Sequence, residues 1–95
     1  MNTDYIIISE YCIRTRIEPD FIIQLADEGL IEITVIEDND YLHISQLRNI
    51  EQYANWYYDL SINVEGIDVV QNLLNKMHNM QNEISRLKQQ LRLID

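Results

Sequence analysis

The C-terminal third of the chain carries an uninterrupted heptad repeat of apolar residues. With Val70 placed at heptad position a, the a and d positions are Val70, Leu73, Met77, Met80, Ile84, Leu87, Leu91 and Ile94. Apolar residues at this 3.5-residue spacing are typical of a coiled coil. A helix over these residues rises by on the order of 37 Å, more than a chain of 95 residues can cover by itself. We therefore predict that the eight residues form a dimerisation seam, the alternative being that they pack on the chain's own core.

The negative charge of the chain is confined to its first 60 residues. Residues 1–60 contain twelve Asp and Glu against three Arg, whereas residues 61–95 contain four acids and four bases. The N-terminal part therefore carries the whole net charge of −9. An acidic field of this kind repels phosphate and attracts a basic surface, so the charge disfavours nucleic acid as a partner.

Two short helices joined by a brief connection are predicted near the N-terminus, after a short β-like start. The first is expected to begin with Ser9 as its N-cap and to end near Arg16. The second is expected to begin at Pro19, which suits the first helical position, and to stop at Gly29. This arrangement is typical of a helix-turn-helix.

A β-hairpin is predicted directly after the second helix. Alternating β-branched residues in 30–37 and in 41–44 flank the turn formers Asp38, Asn39 and Asp40. A hairpin in this position is the wing of a winged helix-turn-helix.

The remaining helices complete a mainly α fold. A third helix is expected from an N-cap at Ser45 to about Leu60, and Asn63 is the expected N-cap of the long helix. We predict a winged helix-turn-helix domain at residues 1–61 and a coiled-coil dimerisation helix at residues 62–95.

Catalysis is not indicated by any group of residues. The chain has one cysteine, Cys12, which is expected to be a small buried residue, and its histidines, His43 and His78, lie on different elements without a nucleophile or ligand set at a suitable spacing. We predict a non-enzymatic protein without cofactor or metal. No secretory signal or membrane span is seen, so a cytoplasmic location is expected.

Three stretches carry a resemblance to a known family, and they are Ile8-Ser9-Glu10-Tyr11-Cys12, Gly29-Leu30-Ile31 and Leu60-x-Ile62-Asn63-x-x-Gly66-Ile67. In order, spacing and length, the chain resembles the chaperone-modulator (CbpM-like) proteins, a small branch of the MerR-like winged-helix superfamily. The likeness covers nearly the whole chain and departs at Val64-Glu65, where some relatives carry Trp-Pro. It implies a dimer that binds the J-domain of a nucleoid-associated co-chaperone and inhibits it.

The resemblance also bears on how the long helices pair. In a parallel dimer Glu83 at position g would face Lys88 at position e of the second copy, which is favourable. The superfamily instead implies antiparallel helices, and we predict that arrangement.

The second helix and the wing are the predicted partner-binding surface. A J-domain, as the resemblance implies, presents a basic helix, and this surface is rich in carboxylates. The candidate contacts are Glu18, Asp20, Asp27, Glu28, Glu37, Asp38 and Asp40, with Tyr41 as an apolar anchor.

The alternative function is that of a DNA-binding regulator of the parent superfamily. It rests on the order of the helices and on three basic residues, Arg14, Arg16 and Arg48. A helix that reads DNA supplies Arg, Lys, Asn or Gln to bases and phosphates, whereas residues 19–28 contain no Arg or Lys. The sequence therefore favours a protein partner.

Overall fold

The computed structural model describes residues 4–94, with side-chain exposure for residues 4–92. Its elements are β1 (Tyr5–Ile7), α1 (Ile8–Thr15), α2 (Pro19–Asp27), β2 (Thr34–Ile36), β3 (Asn39–His43), α3 (Leu47–Ala54) and α4 (Val64–Ile94). A 3₁₀ turn (Ile44–Gln46) precedes α3 and a π-helical turn (Asn55–Asp59) follows it. The predicted mainly α fold with a small β wing and a long C-terminal helix is confirmed.

Helix α1 begins two residues earlier than predicted, with its N-cap at residue 7 instead of residue 9. Ile7, the last residue of β1, occupies the N-cap position, and Ser9 lies inside the first turn without capping the helix. The prediction of a Ser9 cap was therefore wrong. Strand β1 explains the difference, because its pairing with β3 through Ile7 and Tyr41 holds the backbone up to the first helical residue. The helix ends at Thr15, and its C-cap, Arg16, adopts a left-handed conformation with φ of 63°.

Helix α2 has both predicted ends. Pro19 is its first residue, where the missing N–H has no helical partner to lose. Gly29 adopts φ of 77°, a conformation that costs glycine little, and the Leu30 N–H donates to the Leu25 carbonyl at 2.9 Å. This hydrogen bond closes the helix and turns the chain towards the wing.

The N-terminal strand β1 pairs with the predicted hairpin, so the wing is a three-stranded antiparallel sheet in the order β1-β3-β2. Ile36 pairs with Asn39, which makes Glu37 and Asp38 a two-residue turn with φ of 48° and 67°. Positive φ at both positions indicates a type I′ turn, the form that matches strand twist. The turn therefore lies one residue before the predicted one at residues 38–40.

The 3₁₀ turn that leads into α3 is capped by His43, whereas Ser45 was the predicted N-cap of the third helix. The imidazole Nδ1 of His43 accepts the backbone N–H of Ser45 at 3.1 Å and lies 2.7 Å from its hydroxyl. Ser45 thus donates to the cap instead of forming it, and the predicted Ser45 cap was wrong. The predicted continuous helix to Leu60 is also divided, because α3 gives way to the π-helical turn after Ala54.

The π-helical turn anchors α2. It brings two consecutive tyrosines to Phe21, with ring centroids 4.5 Å away for Tyr57 and 5.5 Å for Tyr58. The Tyr58 hydroxyl also accepts the backbone N–H of Glu18 at 3.1 Å. A wider helical turn presents successive side chains differently from an α-helix, and here both rings reach the same neighbour. These contacts fix the orientation of α2 relative to α3.

One apolar core lies between the three short helices, the sheet and the first turn of α4. Its buried residues are Ile8, Tyr11, Cys12, Ile17, Phe21, Ile22, Leu25, Ile31, Leu42, Ile50, Tyr53, Ala54, Val64 and Ile67. Cys12 is buried as predicted.

The start of α4 is built around the predicted N-cap. The Oδ1 atom of Asn63 accepts the backbone N–H of Gly66 at 2.7 Å. A Cβ atom on Gly66 would lie 2.9 Å from both that oxygen and Cγ2 of Ile62, so any larger residue would force these two side chains to shift. Ile67, one residue further on, is fully buried and ties the long helix to the N-terminal core.

Replacing Asn63 with alanine is expected to lower stability by about 1 kcal/mol, because the capping acceptor is lost. For a domain of this size that corresponds to a fall of roughly 4–8 °C in Tm, measured by circular dichroism. Asn63→Asp retains the acceptor and is the matched control. Equal Tm values for the two variants would show that the cap contributes nothing.

Beyond its first two turns, α4 projects from the domain. Residues 72–92 are all exposed, and the molecule extends 59 Å along its longest axis. None of the helices in residues 4–94 combines the length and the apolar character that a membrane crossing requires.

Candidate functional site

The outward face of α2 carries two carboxylates with an isoleucine between them. Asp20, Ile23 and Asp27 follow one another at helical spacings of three and four residues, which places them on one side of the helix. The opposite side holds Phe21, Ile22 and Leu25 in the core. Ile23 is 50 % exposed, although it is one of the most apolar residue types. This face of α2 therefore presents one apolar side chain between two acidic ones.

A groove of about 300 Å³ separates α2 from the wing turn. Its lining comes from the end of β1, the starts of α1 and α2, and the wing, and consists of Ile7, Ile8, Ser9, Pro19, Ile23, Asp38, Asn39 and Asp40. The sheet places the wing here because β3 pairs with β1, whose last residue leads directly into α1. The groove therefore has an apolar floor and an acidic rim.

The predicted wing residues divide between the groove and its surroundings. Asp38 and Asp40 are exposed and line the groove, and Glu37 is exposed beside them on the turn. Tyr41 is half-buried in the middle strand, where it pairs with Ile7 and Thr34. It does not line the groove.

The predicted acids at the two ends of α2 line depressions other than this groove. Asp27 and Glu28 line a shallow depression of about 220 Å³ together with Gln24, Val64 and Glu65 of the α4 start. Glu18 lies at the N-cap of α2 and borders the depression between α1 and α2 that also contains Ile13 and Arg16. Asp38 and Asp40 thus lie with α2 at one groove, whereas Glu18, Asp27 and Glu28 line other depressions of the same domain.

The arginines of the alternative function do not form one basic surface with α2. Arg14, Arg16 and Arg48 are exposed. Arg16 lines a cavity of about 500 Å³ whose other charged residues are Glu51 and Asp59. Two carboxylates beside this guanidinium weaken its attraction for phosphate.

Two buried side chains of α1 have raised pKa values. Burial raises the pKa of the Cys12 thiol, so it is a poor nucleophile at neutral pH. Burial, and then the charge of Glu51, raises the pKa of Tyr11, whose buried hydroxyl has no hydrogen-bond partner among the described residues. Within residues 4–94 no three His, Cys, Asp or Glu side chains come together in a way that would hold a metal ion.

The heptad residues form an exposed stripe along α4. Leu73, Met77, Met80, Ile84, Leu87 and Leu91 are 45–64 % exposed, and Val70 is half-buried. The Ile94 side chain lies outside the described residues. At about 100° per residue the stripe lies roughly 150° from the face that carries Val64 and Ile67. It is therefore separate from the surface that packs on the chain's own domain.

Ile23 is the residue that the sequence-based prediction missed. The second helix buries Phe21, Ile22 and Leu25, and the helical spacing places Ile23 on the other side. A signal was therefore present in the sequence, as an isoleucine at +3 from Asp20 and −4 from Asp27. The approach of the wing to Pro19 had no comparable signal, since it depends on the pairing of β1 with β3.

Comparison with known proteins gives a family match. A family model described as "MerR HTH family regulatory protein" matches residues 6–89, which covers the helix-turn-helix, the wing and most of α4. No curated protein and no solved structure gives a match.

Proposed function

Because the chain belongs to the MerR HTH family of regulatory proteins, we propose that it is a non-enzymatic member of this family that binds protein instead of DNA. Its partner is a J-domain co-chaperone, which it binds through the acidic winged-helix surface and inhibits. Residues 1–61 supply the binding domain and residues 62–95 the dimerisation helix, and the protein acts in the cytoplasm. The likeness to chaperone modulators supports the choice of partner.

The observation that carries the proposal is the character of the α2 and wing surface. In a DNA-binding winged helix these elements approach phosphates, whereas here their exposed side chains include Asp20, Asp27, Glu37, Asp38 and Asp40. Carboxylates at these positions oppose phosphate and attract Lys and Arg. A basic protein helix therefore suits this surface better than a DNA groove.

We also propose that α4 pairs with α4 of a second copy in an antiparallel coiled coil. The exposed stripe described above runs for about 30 Å, from residue 70 to residue 91, and apolar patches of this extent mark interaction sites. The seam residues are Val70, Leu73, Met77, Met80, Ile84, Leu87, Leu91 and Ile94. Cysteines introduced at Gln71 and Arg92 distinguish the orientations, because only antiparallel helices link position 71 to position 92.

Inhibition of a J-domain is tested by affinity purification and a functional assay. The tagged chain is expected to retain a J-domain co-chaperone from the lysate of its own cell, and the retained protein is identified by mass spectrometry. The purified chain is then expected to reduce the co-chaperone's stimulation of Hsp70 ATP hydrolysis. Retention without any reduction would refute inhibition, and retention of no J-domain protein would refute the choice of partner.

DNA binding is the second candidate, and the family's description as regulatory helix-turn-helix proteins favours it. From the acidic α2 and wing we expect no shift of duplex DNA by the chain in a mobility-shift assay, even at low salt, where phosphate contacts are strongest. Tight binding at low salt that weakens steeply as salt is added would reverse the choice between the two functions. A duplex of random sequence serves as the control for specificity.

A further inference from the structure

The groove between α2 and the wing turn combines features that neither the acids nor the apolar residues provide alone. Ile7, Ile8, Pro19 and Ile23 supply apolar surface, and Asp38 and Asp40 stand at the rim. Among the residues that the structure describes, neither Lys nor Arg lines it. An apolar floor with two carboxylates on its wing side matches a ligand that is apolar where it enters the groove and cationic where it faces the wing.

The dimensions of the groove suit a few side chains of a larger partner better than a whole small molecule. Its volume of about 300 Å³ is at the lower limit of small-molecule pockets, and it is open along the surface. One or two aliphatic side chains fill such a space, while the remainder of the partner lies across α2 and the wing turn. The groove is therefore an anchor point within a wider contact surface.

The spacing of the charges on α2 indicates the secondary structure of that partner. Asp20 lies three residues before Ile23 and Asp27 lies four residues after it, so the carboxylates are displaced by about 4.5 Å and 6 Å along the helix axis from the apolar side chain. A partner helix with an aliphatic residue between basic residues at i−4 or i−3 and i+3 or i+4 repeats the same spacing. Pairing of two such helices places opposite charges on both sides of an apolar contact.

We propose that this groove binds the apolar side of a basic amphipathic helix, with an aliphatic side chain of that helix seated against Ile23. The site rests on the proposed function and deepens it, since it assigns the anchor to Ile23 in place of Tyr41. Asp20 and Asp27 hold cationic side chains along α2, and Asp38 and Asp40 hold them at the wing. The affinity comes chiefly from the apolar contact, and the acids select a basic partner.

The test compares Ile23→Ser with Ile13→Ser. Ile13 is 80 % exposed on α1 and does not line the groove, so it is a matched isoleucine outside the site. One probe is a purified J-domain, and the other is a cross-linked helical peptide of about 15 residues with leucines on one side and lysines beside them. Binding is measured by titration calorimetry, and the folding of each variant by circular dichroism.

Ile23→Ser is expected to weaken binding of both probes by about 10- to 30-fold, as for the loss of a central aliphatic contact, and Ile13→Ser to leave it unchanged. Replacing the peptide leucines with alanine should cause a similar loss, and replacing its lysines with glutamate should abolish binding. The double variant Asp38→Asn, Asp40→Asn should reduce the salt dependence, and asparagine tolerates the positive φ at position 38.

The outcomes separate this inference from the proposed function. If the chain binds a J-domain and Ile23→Ser has no effect, the groove assignment is wrong and the proposed function stands. If the chain binds no J-domain but binds the peptide in an Ile23-dependent way, the proposed function is wrong and the groove assignment stands. Binding of neither probe, or equal losses from the two isoleucine variants, overturns the groove assignment.

Discussion

Ile84→Lys combined with Leu87→Lys is expected to halve the mass of the protein in solution. Both residues lie at seam positions of α4, where the single chain leaves them 45 % and 46 % exposed. Fully burying an exposed aliphatic side chain contributes about 1.5–3 kcal/mol, and these side chains have only about half of that exposure left to lose, so removing two from each helix of a dimer withdraws roughly 3–6 kcal/mol. Lysine is a good helix former, which preserves α4 itself. Sedimentation equilibrium measures the mass directly.

The matched control for this experiment places the same charges on the opposite side of α4. Asn82 and Ser85 are exposed and lie at polar heptad positions, so Asn82→Lys with Ser85→Lys adds two lysines without touching the seam. This variant is expected to remain dimeric. Monomeric unmodified protein at all concentrations, or a seam variant that stays dimeric, would rule out pairing through α4.

The long helix was the part of the fold most open to prediction from the sequence. Its heptad pattern depends only on the order of residues along one helix, and the cap at Asn63 depends on residues at most three positions away. Local features of this kind are readable without knowing the rest of the structure. The same holds for α2, where Pro19 and Gly29 mark the two ends.

The errors arose where distant residues decide local structure. Ser9 was taken as a cap because the pairing of β1 with β3, across more than thirty residues of sequence, could not be seen. Ser45 was wrongly taken as a cap, since the imidazole nitrogen of its neighbour His43 takes that role by accepting the Ser45 N–H. The π-helical turn after Ala54 reflects the tertiary packing of Tyr57 and Tyr58 on Phe21.

The charge of the candidate site could be predicted from the sequence, but its shape could not. The acids on α2 and the wing are visible in the sequence, and the structure leaves them exposed. The groove exists only because the sheet brings the wing turn towards Pro19, and Tyr41 was chosen as the anchor without that information. Charge is a property of composition, whereas a groove is a property of tertiary structure.

Asp20→Lys combined with Asp27→Lys is expected to weaken J-domain binding by roughly 100-fold. The two carboxylates lie on the exposed face of α2, and reversing each one replaces an attraction by a repulsion worth on the order of 1 kcal/mol or more. Most of the loss should appear in the association rate at low salt, since charges at the rim of an interface steer encounter. Surface plasmon resonance at low and high salt measures both rates.

The control reverses two acids elsewhere on the same domain. Glu51 and Asp59 line the cavity beside Arg16, away from the α2 and wing groove, so Glu51→Lys with Asp59→Lys changes the net charge by the same amount. If overall charge alone attracts the partner, both variants lose affinity equally, which would contradict a site on α2. A loss confined to the α2 variant, diminishing as salt screens the interaction, requires that the partner's basic residues lie directly against Asp20 and Asp27.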